Sequence, residues 1–89
     1  MKARYLEVTF RKGKPLAAYL YLPREPNAKS VNTEDFGSGL LVDYQADGIP
    51  IGLEITAPTK VTLDQINTVL SQLNLPLLEP QEITPLKAA

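Results

Sequence analysis

The sequence predicts an α+β domain. It reads as an antiparallel β-meander of four to five strands, arranged as two hairpins, followed by one C-terminal amphipathic helix and an extended proline-containing tail. Three observations predict it. Residues 40–55 alternate in polarity around Asp47-Gly48, residues 5–22 do so around Arg11-Lys12-Gly13-Lys14, and residues 62–75 carry a helix start, an apolar stripe and a helix stop. Period-two alternation marks half-buried strands, and a period near 3.6 marks a helix lying on them. The 89 residues suit one domain. Residues 1–75 are expected to form it, with 76–89 as an extended C-terminal arm.

The first hairpin places Leu6, Val8 and Phe10 on one side, with Leu16, Ala18, Leu20 and Leu22 across from them. Its other side aligns Tyr5, Tyr19 and Tyr21, whose apolar rings and polar tips suit a half-buried surface. Pro23 to Lys29 holds two prolines and reads as a loop. Ser30 to Glu34 predicts a short edge strand, and Asp35 to Gly39 a turn.

The second hairpin has Gln45 to Gly48 as its loop. Gly48 is suited to a position with φ > 0. The predicted register sets Tyr44 against Ile49, Val42 against Ile51 and Leu40 against Leu53, which gathers the large apolar side chains on one face.

The helix start is marked by Thr62 as N-cap with Gln65 at capping-box spacing. Val61 and Ile66 form a hydrophobic staple, and Asp64 complements the dipole in the first turn. Leu63, Ile66, Val69, Leu70 and Leu73 make the apolar stripe. Leu73 is the expected last residue. Asn74 takes the left-handed position, Leu75 folds back toward Leu70, and Pro76 forbids continuation. Beyond it, Pro76, Pro80 and Pro85 alternate with Leu77, Leu78, Ile83 and Leu86. Prolines oppose a regular helix and weaken a strand, so this arm is expected to lie extended on a groove of its own sheet or of a second copy.

Composition narrows the chemistry. The chain has no Cys and no His, so disulfides, thiolates, soft metal ligands and the usual neutral-pH proton shuttle are absent. Ser30, Ser38 and Ser71 have no His to activate them. In the predicted register Asp43 pairs with Pro50 and Glu54 with Gly39, which separates the two carboxylates by ~13 Å at the strand rise, too far for a two-carboxylate mechanism. Glu34, Asp35 and Asp43 do not match a calcium-loop spacing. Gly37-Ser38-Gly39 lacks the lysine and helix of a phosphate loop. No catalytic residue, cofactor site or metal site is assigned, and the expectation is a protein that is not an enzyme.

Net charge is −1, with a sequence pI near 5.3. Residues 1–29 carry seven Lys and Arg against two Glu, a local +5, while residues 30–89 carry two Lys against eight acids, a local −6. Such a chain suits head-to-tail self-pairing or an oppositely charged partner. The basic residues split between Arg11, Lys12 and Lys14 at one end of the first hairpin and Lys2, Arg4 and Arg24 at the other, which makes nucleic acid an unlikely partner. No apolar run approaches the ~20 residues of a membrane helix, and the N-terminus lacks the apolar core of a signal peptide. A cytoplasmic bacterial protein is the expectation.

Leu41-Val42-Asp43-Tyr44, Gly48 and Gly52-Leu53-Glu54-Ile55 resemble the signature of the small bacterial family catalogued as domain of unknown function 2283, and Ala17 to Leu22 is similar to its other recurrent strand. The likeness covers roughly residues 5–57. In that family Asp43, Tyr44, Gly48, Gly52 and Glu54 stand at turn and signature positions, while Ala17 replaces a common polar residue. The resemblance implies a fold more than an activity, and some members look like partners in two-gene toxin–antitoxin-type pairs.

Together these readings predict a non-catalytic protein-interaction module forming a homodimer, with Tyr5, Tyr19, Tyr21, Leu77, Leu78 and Ile83 as contact residues. A small protein encoded nearby is the other candidate partner. The alternative is a small-ligand-binding or antitoxin-like regulatory domain.

Overall fold

The computed structural model describes residues 4–87. Five strands form one antiparallel sheet: β1 (Tyr5–Arg11), β2 (Lys14–Tyr21), β3 (Asn32–Asp35), β4 (Leu40–Tyr44) and β5 (Pro50–Ile55), in the spatial order β1-β2-β5-β4-β3. Helix α1 (Leu63–Gln72) and a 3₁₀ segment (Pro80–Lys87) follow. The order sets β5 rather than β3 beside β2. Composition explains this. β5 contributes the buried run Ile51, Gly52, Leu53 and Ile55, whereas β3 reads Asn-Thr-Glu-Asp and is exposed throughout. Charged side chains on a short edge strand also discourage unwanted pairing.

One face of the sheet is covered. Leu20, Leu22, Leu40, Val42, Leu53 and Ile55 form a continuous cluster with Val61, Ile66, Val69 and Leu70 from the helix region, and with Leu78, Ile83 and Leu86 from the tail. The helix has the expected ends. The Gln65 amide N–H donates to the Thr62 hydroxyl at 3.1 Å, and the Thr62 amide donates to the Gln65 side chain at 2.9 Å. At the other end Asn74 has φ 59°, and the Leu75 amide donates to the Leu70 carbonyl while that of Asn74 donates to Ser71, which is the Schellman pattern.

The first hairpin turns on Lys12 and Gly13, both at positive φ (53° and 77°), the geometry that matches strand twist in a two-residue turn. A register shift between Thr9 and Phe10 then pairs Phe10 with Pro15 and bypasses Leu16. Phe10 and Leu16, which alternation sets on the side of Leu6, Val8, Ala18 and Leu20, are exposed. The bulge rotates this end of the ribbon away from the covered face.

The second hairpin corrects the predicted register by two residues. Gly48 donates to the Gln45 carbonyl and Gln45 to the Ile49 carbonyl, with Gly48 at φ 86°. Tyr44 then faces Pro50, not Ile49, and Ile49 is exposed at the loop. A bulge follows at Asp43/Tyr44, so Val42 faces Leu53 and Leu40 faces Ile55. The extra residue is Ile51, whose carbonyl accepts from the Leu22 amide at 3.2 Å and from the Arg24 guanidinium.

The tail lies on its own sheet, but Pro80–Lys87 winds into 3₁₀ turns instead of running extended. Proline's fixed φ of about −65° fits a 3₁₀ helix. The Glu82 amide donates to the Glu79 carbonyl at 2.9 Å and the Glu82 carboxylate accepts from the Glu79 amide at 2.7 Å. Two side chains hold the segment down. Asn67 accepts from the Leu78 amide at 2.8 Å and donates to its carbonyl at 3.1 Å. Arg4 donates to the carbonyls of Pro76 and Leu77 and reaches Glu82 at 4.0 Å. Leu78 and Ile83, expected at a contact surface, are buried in the core, because both cover the sheet beside the helix. Among the described residues no helix is long and apolar enough to cross a membrane.

Candidate functional site

The second face of the sheet carries neither α1 nor the tail core, and its composition is unlike a plain solvated surface. Alternation on each strand selects the residues. β1 supplies Tyr5 and Glu7, β2 supplies Tyr19 and Tyr21, β5 supplies Gly52 and Glu54, β4 supplies Asp43, and β3 supplies Thr33. The registers arrange them in two rows across the strands. One row runs Tyr5, Tyr21, Gly52, Asp43, Thr33, and the next runs Glu7, Tyr19, Glu54, Leu41, Asp35.

The three tyrosines form a packed group. The rings of Tyr5 and Tyr21 are 5.8 Å apart and tilted, while those of Tyr19 and Tyr21 meet edge to face at 4.7 Å. The Arg24 guanidinium lies 5.1 Å from the Tyr21 centroid, on its ring face. Contacts of these kinds add to what area burial alone supplies. The Tyr21 hydroxyl donates to Glu7 at 3.1 Å, and that bond raises its pKa. Tyr5 remains 53 % exposed.

Asp43 is the buried acid of the group, 7 % exposed. Each of its oxygens accepts a hydroxyl: Tyr19 donates to Oδ2 at 2.8 Å and Thr33 donates to Oδ1 at 2.6 Å. Hydroxyl donors in a part-buried setting replace the water the carboxylate gave up. Burial first, and then the bond to Asp43, push the Tyr19 hydroxyl up to about 12. Tyr19 reaches Asp43 by crossing over Gly52. A Cβ built on Gly52 would stand 1.7 Å from the Tyr19 hydroxyl oxygen and 2.2 Å from the ring carbon bearing it. This glycine is required for space.

The corrected register brings Glu54 and Asp43 together. Asp43 pairs with Gly52 and Glu54 with Leu41, so the two carboxylates are diagonal neighbours and not the ~13 Å apart that the predicted register implied. Burial, then the Asp43 charge and a hydrogen bond to it, raise the Glu54 pKa. A shallow cleft of about 210 Å³ opens beside this pair, lined by Glu7, Tyr19 and Glu54 together with Thr9, Ala17 and Thr56 among others.

The remaining candidates sit elsewhere. Tyr44 donates to Glu34 of the edge strand at 2.9 Å, and burial followed by that bond push its hydroxyl to about 12. Gly48 serves its turn. Leu77 is exposed at the start of the tail, where its carbonyl takes the Arg4 contact. Glu34, Asp35 and Asp43 each have separate partners, and among the described residues no group of three or more acids is placed to hold a metal ion. Lys2 lies outside the described residues. Sequence reasoning missed Thr33, Glu7 and Arg24 as members of the cluster. The alternation of β1 already placed Glu7 beside Tyr5, whereas Arg24 sits in a proline loop with no periodicity to read.

No family model matches this chain, and no curated protein or solved structure matches it either.

Proposed function

We propose that this protein is a non-catalytic interaction module that self-associates through the uncovered face of its sheet. The observation carrying this reading is the packed Tyr5–Tyr21–Tyr19 group on a face that neither the helix nor the tail covers. Aromatic rings with polar tips are enriched at interfaces, and such a patch on a small domain marks a contact surface. Binding rather than turnover is supported by Asp43, whose oxygens are both committed to hydroxyl donors of the scaffold.

The test is sedimentation velocity across micromolar concentrations on the natural chain and on Tyr5→Ser and Tyr21→Ser. The natural chain is expected to be dimeric, with both substitutions shifting it to monomer while the far-UV spectrum is kept. A monomer throughout the natural chain's range sinks the reading.

A further inference from the structure

The cleft beside Tyr19 is flanked by the carboxylates of Glu7 and Glu54, with Asp43 behind the second. Glu7 takes one hydroxyl, from Tyr21, and a carboxylate accepts more than one donor, so two acids beside Tyr19 make a site where a cationic side chain gains charge pairing. Arg24 lies over the Tyr21 ring, donates to the Ile51 carbonyl and also acts on the Tyr19 hydroxyl, so within one chain a cation already serves this group. The complementary charge lies at the tip of the same hairpin, where Arg11, Lys12 and Lys14 are exposed on a protruding two-residue turn. Arg11 is four residues along β1 from Glu7, ~13 Å at the strand rise, and the described ion pair of this chain does not join them.

The spacing is symmetric. Thr9 lies midway between Glu7 and Arg11, and it pairs with Ala17 across the hairpin. A two-fold axis through that pair sets the Arg11 of one copy over the Glu7 of the other. The small side chains at the axis let the two sheets approach closely, and an isologous contact of this kind closes at two copies.

We propose that the basic turn Arg11–Lys14 of a second copy docks in the cleft of Glu7, Tyr19 and Glu54, the two copies exchanging turns about an axis at Thr9 and Ala17. This inference rests on the self-association reading and names its contact.

The experiment is a charge exchange read by sedimentation velocity, with circular dichroism confirming that each variant is folded. One variant carries Arg11→Glu and Lys14→Glu, and the other carries Glu7→Lys and Glu54→Gln. Each alone is expected to weaken dimerisation about tenfold or more, by setting like charges against each other. Mixing the two is expected to restore a heterodimer, because reversed turn meets reversed cleft and natural turn meets natural cleft. High salt is expected to weaken the natural dimer, a measurement that holds even if a variant fails to fold. A natural dimer that ignores salt, or variants that dimerise as well as the natural chain, overturns the exchange of turns but leaves self-association standing. Variants that stay monomeric when mixed also overturn it. A monomeric natural chain removes both.

Discussion

The Tyr19 hydroxyl donates to the Asp43 carboxylate at 2.8 Å across an intervening strand, passing over the one residue there that has no side chain, Gly52. Three strands are tied by that single contact, and the Thr33 hydroxyl adds a fourth from the other side.

Gly52→Ala therefore displaces Tyr19 and leaves a buried carboxylate short of a donor. The expected cost is about 1–3 kcal/mol in urea unfolding. Tyr19→Ala removes the obstructing ring, so the Tyr19→Ala/Gly52→Ala pair should be less destabilised than the sum of the single variants. Additive effects would show that Gly52 is needed for some reason other than room for Tyr19.

Glu54 holds its proton more tightly in the folded protein than in the unfolded chain, through burial and the nearby Asp43 charge. The native state thus binds more protons, and this contribution to stability is present below the ordinary glutamate pKa and is lost as pH rises through the raised one. Glu54→Gln mimics the protonated form. Its unfolding midpoint should exceed that of the natural chain at neutral pH and converge with it in acid. A constant difference at every pH would exclude this origin.

Tyr19 and Tyr44 are expected to ionise near pH 12 in the folded protein. Because both values are raised from 10, the linked stability is complete below pH 10 and falls between about 10 and 12. An ultraviolet titration of phenolate absorbance should lose part of its late amplitude in Tyr19→Phe and a further part in Tyr44→Phe. Neither loss is expected if the hydroxyls titrate as free tyrosine.

Asn67→Leu abolishes the paired amide contact with Leu78. Two part-buried backbone groups then lack partners, at an expected cost of about 2 kcal/mol. The tail should become the first segment cut in limited proteolysis, with the sheet and helix still protected. Unchanged proteolysis would mean that Leu78, Ile83 and Leu86 hold the segment without help.

Local signals were the readable ones. Thr62, Gln65 and Asn74 act within one turn of their own position, so residue type and spacing were enough to place both helix ends. The registers were harder. The bulges at Thr9/Phe10 and Asp43/Tyr44 exchange good local alternation for a better fit across neighbouring strands, and nothing within either strand announces them. The register of the second hairpin is what sets Asp43 diagonal to Glu54, a neighbourhood that unbroken alternation does not give. The three tyrosines were legible as a group because they depend only on the part of the first hairpin where alternation is unbroken. The tail departs from the extended arm that its prolines suggest, because a φ near −65° is also that of a short 3₁₀ segment.

The lid over the core comes after the elements it covers. Leu78, Ile83 and Leu86 leave the ribosome only after every strand and α1 have emerged, and Arg4, which holds the carbonyls of Pro76 and Leu77, precedes β1. During synthesis part of the oily side of the sheet is therefore left exposed until residues 78–86 have emerged, and a nascent chain stalled before residue 78 should be held by chaperones that a chain extended past Leu86 escapes.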